Sequence, residues 1–260
     1  MFKSFWQGFL NLVYPPVCIL CHDPLAPTIT KELLCSGCRR LLLPNRPPFC
    51  LKCSRPLQPD GPAHCHICRR EKLYFDRAWG TCCYSEATKR LIHKLKYGGK
   101  TVLRHFFSDR IIEFVTHYNV ALQYFDLVMP VPLHPVRLRE RGFNQSLLLA
   151  EIISQKYSIP LSINNLRRTR HTQNQARVSQ KERWTNIEHA FKIKTSKDIN
   201  EKNILVVDDL YTTGATLSEI ARTLKAAGAH KVCGLTFAIA LEPQDTRPLQ
   251  DTLTATTWTF

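Results

Sequence analysis

Two adjacent carboxylates, Asp208 and Asp209, close an apolar run, Ile204–Val207, and lead into Thr212-Thr213-Gly214-Ala215-Thr216. The apolar run reads as a buried strand, and the small hydroxylated residues read as a loop that opens a helix. Thr216 with Glu219 three residues on predicts a capping box, and Gly228 after Ala226-Ala227 predicts where that helix stops. A loop feeding a helix N-terminus offers free backbone N–H groups and the positive end of the helix dipole, which together seat a phosphate. Carboxylates at the strand end accept hydrogen bonds from nearby sugar hydroxyls. A phosphate beside a vicinal diol is a ribose 5-phosphate, and binding of that unit is the chemistry these residues predict. Other nucleotide signatures fail. The chain has no G-x-G-x-x-G, and Gly99-Lys100-Thr101 has Lys94 where a P-loop requires its first glycine.

A second chemistry sits near the N-terminus. Eight of the eleven cysteines form four C-x-x-C pairs: Cys18/Cys21, Cys35/Cys38, Cys50/Cys53 and Cys65/Cys68. Each pair grips one ion from a tight knuckle, and two knuckles complete a tetrahedron, so the pattern predicts zinc. The simplest arrangement puts one zinc on the first and second pairs and another on the third and fourth; spacing alone leaves a crossed pairing open. His22, His64 and His66 neighbour these ligands but are not needed to fill two sites. Zinc is expected to be structural, because a Cys-rich segment with little apolar sequence needs metal-binding energy to fold. Cys82, Cys83 and Cys233 lie in strand-like apolar contexts and read as inert core residues.

Charge points to an anionic partner. The formal net charge is +15. It is concentrated: residues 1–72 carry +6 and residues 135–184 carry +7, whereas residues 185–260 carry −1. Such clustering is the footprint of a surface that meets nucleic acid or pyrophosphate. No stretch reaches the ~18 apolar residues that span a bilayer. Residues 1–16 are apolar and aromatic but short, and predict a helix that packs on its own protein; they lack a cleavage site, which places the chain in the cytosol, with association at the inner membrane surface as the weaker alternative.

The elements that must position these groups follow from periodicity. Residues 1–72 read as a Cys- and Pro-rich module, 73–242 as an α/β domain, and 243–260 as a Thr-rich tail without regular structure. Within the α/β part, strands are predicted at Ala78–Tyr84, Asp126–Val131, Asn203–Val207 and Lys231–Ala240. Helices are predicted at Glu86–Lys96, with a basic face, and at Val102–Tyr118, at Gln145–Tyr157 and after Thr216. Strands alternating with helices imply a mostly parallel sheet covered on both faces, with ligands beyond the carboxyl ends of its strands. The strand ending at Val131 runs into Pro132-Leu133-His134-Pro135, a stiff loop suited to a pyrophosphate, followed by Arg137, Arg139 and Arg141, whose forked guanidiniums match phosphate oxygens. Residues Arg167–Arg183 read as a polar, basic stretch with little to bury.

The string from Ile204 to Thr216 closely resembles the phosphoribosyl-pyrophosphate (PRPP) signature of type I phosphoribosyltransferases. The resemblance implies that Asp208 and Asp209 contact the ribose hydroxyls and that Thr212, Thr213, Gly214, Ala215 and Thr216 cradle the 5-phosphate. It also implies a pyrophosphate loop at Val131, Pro132, Leu133, Arg137 and Arg141, with Mg²⁺ accompanying PRPP. Taken with the C-x-x-C pairs, IHKLKYGGK (Ile92–Lys100), PVPLHPVRLRERGFNQS and the segment Arg167–Phe191, the chain resembles the ComF/GntX family of competence-associated proteins over nearly its whole length. That resemblance implies a double zinc ribbon ahead of a phosphoribosyltransferase-like α/β fold. It further implies handling of single-stranded DNA during natural transformation, a covering segment at Arg167–Phe191, and DNA-uptake partners such as a helicase or channel. An active transferase acting on a base or amine is the alternative, and no residue is singled out as its catalytic acid or base. Tyr97, Phe143 and Trp184 lie beside basic residues and are candidates for stacking on bases.

Overall fold

A computed structural model describes residues 15–25, 32–170 and 180–241. The expected N-terminal helix and the Thr-rich tail fall outside these residues. The strands are β1 (Arg77–Cys83), β2 (Leu127–Pro130), β3 (Leu166–Arg168), β4 (Phe191–Ile193), β5 (Asn203–Tyr211) and β6 (Lys231–Ile239). The helices are α1 (Ser36–Arg40), α2 (His66–Arg70), α3 (Glu86–Tyr97), α4 (Leu103–His117), α5 (Pro135–Arg141), α6 (Gln145–Tyr157), α7 (Gln180–Ile187) and α8 (Ala215–Ala226).

Strands β1, β6, β5 and β2 form one sheet in that order, with every neighbouring pair parallel. The central pair is apolar on both faces, as a buried parallel sheet requires. Alternation along β5 divides the core. Leu205 and Val207 join α4 and α6 on one face, while Ile204 and Val206 join α8 on the other. On the first face Phe107 stacks flat on Phe237, with ring centroids 3.8 Å apart. The chain thus has the α/β architecture that its periodicity predicts.

Strand β5 runs past its apolar stretch because β6 continues beside it, pairing Asp208 with Thr236, Leu210 with Ala238 and Tyr211 with Ile239. Both carboxylates therefore stand on the strand rather than after it. The predicted capping box is absent. Gly214, at φ 85°, is the N-cap of α8 and no side chain caps it, so Thr216 already lies in the first turn. Glu219 turns away, accepting from the backbone N–H of His189 (2.8 Å) and from Arg222 (2.7 Å).

Two further corrections concern basic segments. Residues 135–141 are not loop but helix α5, opened by Pro135 behind the His134 cap and closed by left-handed Gly142. The Arg167–Arg183 stretch is not uniformly polar surface. Arg167 and Arg168 belong to β3, which pairs antiparallel with β4, and the ribbon buries Leu166, Ala190 and Phe191. Residues 171–179 of that stretch lie outside the described residues.

The Cys-rich segment is built into the sheet. Its backbone lines the open edge of β1: Cys83 N–H donates to Leu43 C=O, Asn45 N–H to Thr81 C=O and Ala78 N–H to Lys52 C=O. Covering an edge in this way removes a site of aberrant pairing. Cys18, Leu20, Leu34 and Leu42 enter the core on the α4 face, while Cys50, Cys53, Leu57 and Ile67 enter the core on the α8 face. Among the described residues no helix is long and apolar enough to cross a membrane.

Candidate functional site

The carboxylates at the end of β5 are held by groups from two helices. Ser146 Oγ donates to Asp208 Oδ1 at 2.7 Å, and Gln145 Nε2 donates to Asp209 Oδ1 at 3.0 Å, both from the first turn of α6. Lys96, from the last turn of α3, pairs with Asp209 Oδ2 at 2.5 Å. Asp209 is buried and Asp208 partly so. Burial and the neighbouring Asp209 charge push the Asp208 carboxyl up to about 7, against the pull of Ser146 and Lys96. Burial acts the same way on Asp209, but Lys96 and Gln145 outweigh it and hold that carboxyl below its ordinary value. The pair therefore carries one firm negative charge and one proton that leaves near neutral pH.

Guanidiniums gather around this pair. Arg141 donates to Gln145 Oε1 (3.0 Å) and to the Tyr97 hydroxyl (2.8 Å), and its guanidinium lies over the Tyr97 ring at 4.8 Å. Arg168, brought in by β3, lies within electrostatic reach of Asp208, Arg137 and Arg141. Val131 N–H donates to Val207 C=O at 3.0 Å, so the end of β2 lies beside that of β5. Asn144 Nδ2 donates to Val131 C=O (3.0 Å) and its Oδ1 caps α6 through the Ser146 N–H. Pro132 and Leu133 complete the link from β2 into α5.

On the other side of the carboxylates, Thr212–Thr216 turn the chain from β5 into α8. The first intrahelical bond is Ser218 N–H to Gly214 C=O, so the N–H groups of Ala215, Thr216 and Leu217 precede the ladder. Ala215 N–H rests on Thr213 Oγ1 at 3.4 Å. A Cβ at Gly214 would stand 2.3 Å from the Tyr211 hydroxyl, so only glycine fits this turn. A helix N-terminus and a carboxylate pair thus lie at the carboxyl end of β5, with Arg141 joined to the pair through Gln145 and with Arg168 within electrostatic reach of it.

The cysteines resolve into two clusters. The sulfurs of Cys18, Cys21, Cys35 and Cys38 lie within 4.8 Å of one another, as do those of Cys50, Cys53, Cys65 and Cys68. Cys21 and Cys35, and likewise Cys53 and Cys65, are 3.6 Å apart at sulfur. A tetrahedral ion with bonds of about 2.3 Å needs edges of about 3.8 Å, so each cluster fits a zinc and the crossed pairing is excluded. The backbone N–H groups of Cys38 and Cys65 point at Cys35 Sγ and Cys50 Sγ, the outer contacts expected around metal thiolates. His64 Nδ1 stands 4.0 Å from Cys50 Sγ, outside the cluster. Burial raises the thiols of Cys82 and Cys83 to about 12 and that of Cys233 to about 11, which leaves them protonated and inert.

The predicted site residues Asp208, Asp209, Val131, Arg137 and Arg141 come together, and Thr212–Thr216 adjoin them. Lys96, Gln145 and Ser146 receive no site role from the sequence, and Arg168 only a place in the covering segment that the resemblance implies. Lys96 and the Gln145-Ser146 pair lie inside the motifs KLKYGGK and RGFNQS, so their signal was motif membership without an assignable contact. Of the stacking candidates, Phe143 and Trp184 pack against the core, whereas Tyr97 is 50% exposed, with Arg141 over its ring and the His93 ring 4.8 Å from it.

Comparison with known proteins matches the double zinc ribbon domain family at residues 9–70 and the phosphoribosyl transferase domain family at residues 144–253. Competence protein F of Haemophilus influenzae (strain ATCC 51907 / DSM 11121 / KW20 / Rd) is 31% identical over 223 residues, covering 83% of this chain and 93% of that protein. DNA utilization protein YhgH of Escherichia coli (strain K12) is 30% identical over 229 residues, covering 85% of this chain and 96% of its own. Competence protein ComFC of Bacillus subtilis (strain 168) is 29% identical over 231 residues, covering 83% and 91% respectively.

Proposed function

The chain belongs to the competence protein F family, and from that membership we propose that its sheet-end site binds PRPP or ribose 5-phosphate while the protein handles single-stranded DNA during natural transformation. The observation that carries the reading is the Asp208/Asp209 pair held by Ser146, Gln145 and Lys96 beside a left-handed Gly214 that opens α8, with Arg141 bound to Gln145 and Arg168 within electrostatic reach of Asp208. Asp208 and Asp209 take the ribose hydroxyls, and the N–H groups of Thr212–Thr216 take the 5-phosphate. The Val131–Leu133 link with Arg137 and Arg141 takes the diphosphate. Carboxylates are hard oxygen donors of the kind Mg²⁺ accepts, and Mg²⁺ arriving with the diphosphate would offset its charge.

DNA is assigned to the outer face of α3 and the adjoining turn of α5. Buried positions Ala87, Thr88, Leu91, Ile92 and Leu95 turn Lys89, Arg90, His93 and Tyr97 outward, and Lys100 and Arg139 extend the basic strip. Arg141, stacked on Tyr97, belongs to both the strip and the phosphate site. A base stacking on Tyr97 and a phosphate reaching Arg141 would therefore be felt at Gln145 and Asp209.

The test measures single-stranded DNA binding with and without PRPP·Mg²⁺, for wild type and for Asp208→Ala/Asp209→Ala. Wild type is expected to bind DNA with log affinity falling by about 0.7 per phosphate contacted for each unit of log salt. PRPP should shift that affinity in wild type only. DNA binding indifferent to salt, or a PRPP effect surviving in the double variant, would refute the reading. A transferase reading also draws on one observation, since a carboxyl that titrates at about 7 suits proton transfer at neutral pH. It requires Mg²⁺-dependent pyrophosphate release from PRPP with an acceptor base or amine, lost in the same double variant.

A further inference from the structure

Arg55 is completely buried, which is rare for an arginine and calls for a dedicated set of partners. Its guanidinium reaches three parts of the chain at once. Nη1 donates to Cys65 Sγ in the second cysteine cluster at 3.3 Å, Nε to Ala240 C=O just after β6 at 2.9 Å, and Nη2 to Thr212 C=O at 2.7 Å. The same group lies 5.9 Å from the Tyr211 ring, whose hydroxyl abuts Gly214. Four thiolates on one Zn²⁺ carry a net charge of −2, and that charge is what makes a buried guanidinium tolerable beside them.

Thr212 opens the loop assigned to phosphate. In a trans peptide the C=O and the following N–H point in opposite directions. A Thr212 carbonyl pulled toward Arg55 therefore turns the Thr213 N–H away from the knuckle. Tyr211, between Arg55 and Gly214, fixes the floor under the next residue. We propose that Arg55 is a positioning residue for the Thr212–Thr216 loop, and that metal in the Cys50/Cys53/Cys65/Cys68 cluster sets that loop's affinity for a phosphate. Zinc in this cluster then has a role beyond folding its own segment. The inference rests on the reading of Thr212–Thr216 as the phosphate seat. Lysine cannot replace Arg55 here, because a compact ammonium does not span a sulfur and two separated carbonyls.

The test compares the full-length, zinc-loaded wild type with Arg55→Lys and with Asn45→Ala. Asn45 donates to Ser54 C=O and Gly80 C=O, so its loss loosens the docking of the Cys-rich segment without touching the loop. Metal content, PRPP·Mg²⁺ affinity by calorimetry, and amide exchange at Thr212–Thr216 are measured for each. Arg55→Lys is expected to keep two zincs per chain, to bind PRPP about tenfold more weakly, and to exchange faster at the loop amides. Asn45→Ala is expected to melt earlier yet keep wild-type PRPP affinity and loop exchange. Wild-type affinity and exchange in Arg55→Lys overturn the proposal, and so does equal weakening in both variants. Failure of wild type to bind PRPP refutes the phosphate reading instead, and loop exchange still reports on Arg55. If Arg55→Lys does not fold, wild type carrying cadmium in both clusters decides the matter, because coupling between cluster and loop is reciprocal. PRPP·Mg²⁺ should then shift the cadmium resonance of the Cys50/Cys53/Cys65/Cys68 cluster and leave that of the first cluster in place; no shift at the second cluster, or an equal shift at both, overturns the proposal.

Discussion

Asp208 and Asp209 are identical side chains on adjacent residues, and their surroundings push them in opposite directions. The pair itself is plain in the sequence. What separates the two is Lys96, which lies more than a hundred positions upstream and meets Asp209 only once α3 has packed on the sheet. An ion pair made across tertiary structure leaves no local signal, so this half of the site was not legible. Asp208 has a folded pKa of about 7, above the ordinary carboxyl value. Its contribution to stability is therefore fully present below about pH 4 and lost as pH rises through 7. Asp209 behaves oppositely, contributing above its unfolded value and losing that contribution as pH falls. Asp208→Asn imitates the protonated carboxyl and still accepts from Ser146. It is expected to stabilise the protein at pH 8 by on the order of 1–2 kcal/mol, with the gain gone by about pH 4. Melting curves of both proteins across that range check this. A difference that does not change with pH would show that Asp208 is not the group holding the proton.

At the scale of elements, the turn from β5 into α8 shows what a local pattern can and cannot reveal. Gly214 is legible as a loop glycine, but the reason it must be glycine is the Tyr211 ring beneath it. The Tyr211 hydroxyl is buried and has no hydrogen-bond partner among the described residues. Gly214→Ala meets both the left-handed backbone and that hydroxyl, and is expected to cost about 2–3 kcal/mol. Tyr211→Phe is expected to be neutral or stabilising by about 1 kcal/mol, since it removes an unsatisfied polar group. The double variant should recover part of the alanine cost, because the contact with the hydroxyl is gone while the backbone penalty stays. Denaturant melts of the four proteins close this cycle, and strict additivity would mean that Tyr211 does not dictate Gly214. The same turn explains why the capping box does not form. Thr and Glu at the right spacing predict it, but β6 extends β5 to Tyr211 and moves the helix start to Ala215. Longer elements fared better, and α6 begins and ends where its apolar spacing predicts. The short helix α5 is masked by Pro135 and the prolines before it, and the β3–β4 ribbon by its arginines. Their burial comes from flanking residues such as Leu166 and Phe191.

At the scale of the molecule, the composition shift near Leu73–Asp76 marks a change of chemistry without a break in packing. The Cys-rich segment lines the β1 edge, and its two clusters send apolar residues into the cores on opposite faces of the sheet. The sequence could not show this, because each knuckle reads as a self-sufficient metal unit and the apolar residues between the cysteines are few. A module held only by zinc would unfold by itself when its metals leave. A segment that shares both cores cannot do so, since its departure removes Leu20, Leu34, Leu42, Leu57 and Ile67 from them and uncovers the edge of β1. Structural zinc contributes on the order of 10 kcal/mol per site to folding at neutral pH, which is comparable to the whole stability of a domain. Zinc loss and loss of the sheet are therefore expected to be one event. On heating, zinc release to a chromogenic chelator and the loss of helical ellipticity should share a midpoint, and excess chelator should lower both together. Zinc released at a temperature where the ellipticity persists would mean that the knuckles are an independent unit. Coincident transitions would mean that the metal clusters hold the strand order from which Asp208, Asp209 and the Thr212–Thr216 loop project.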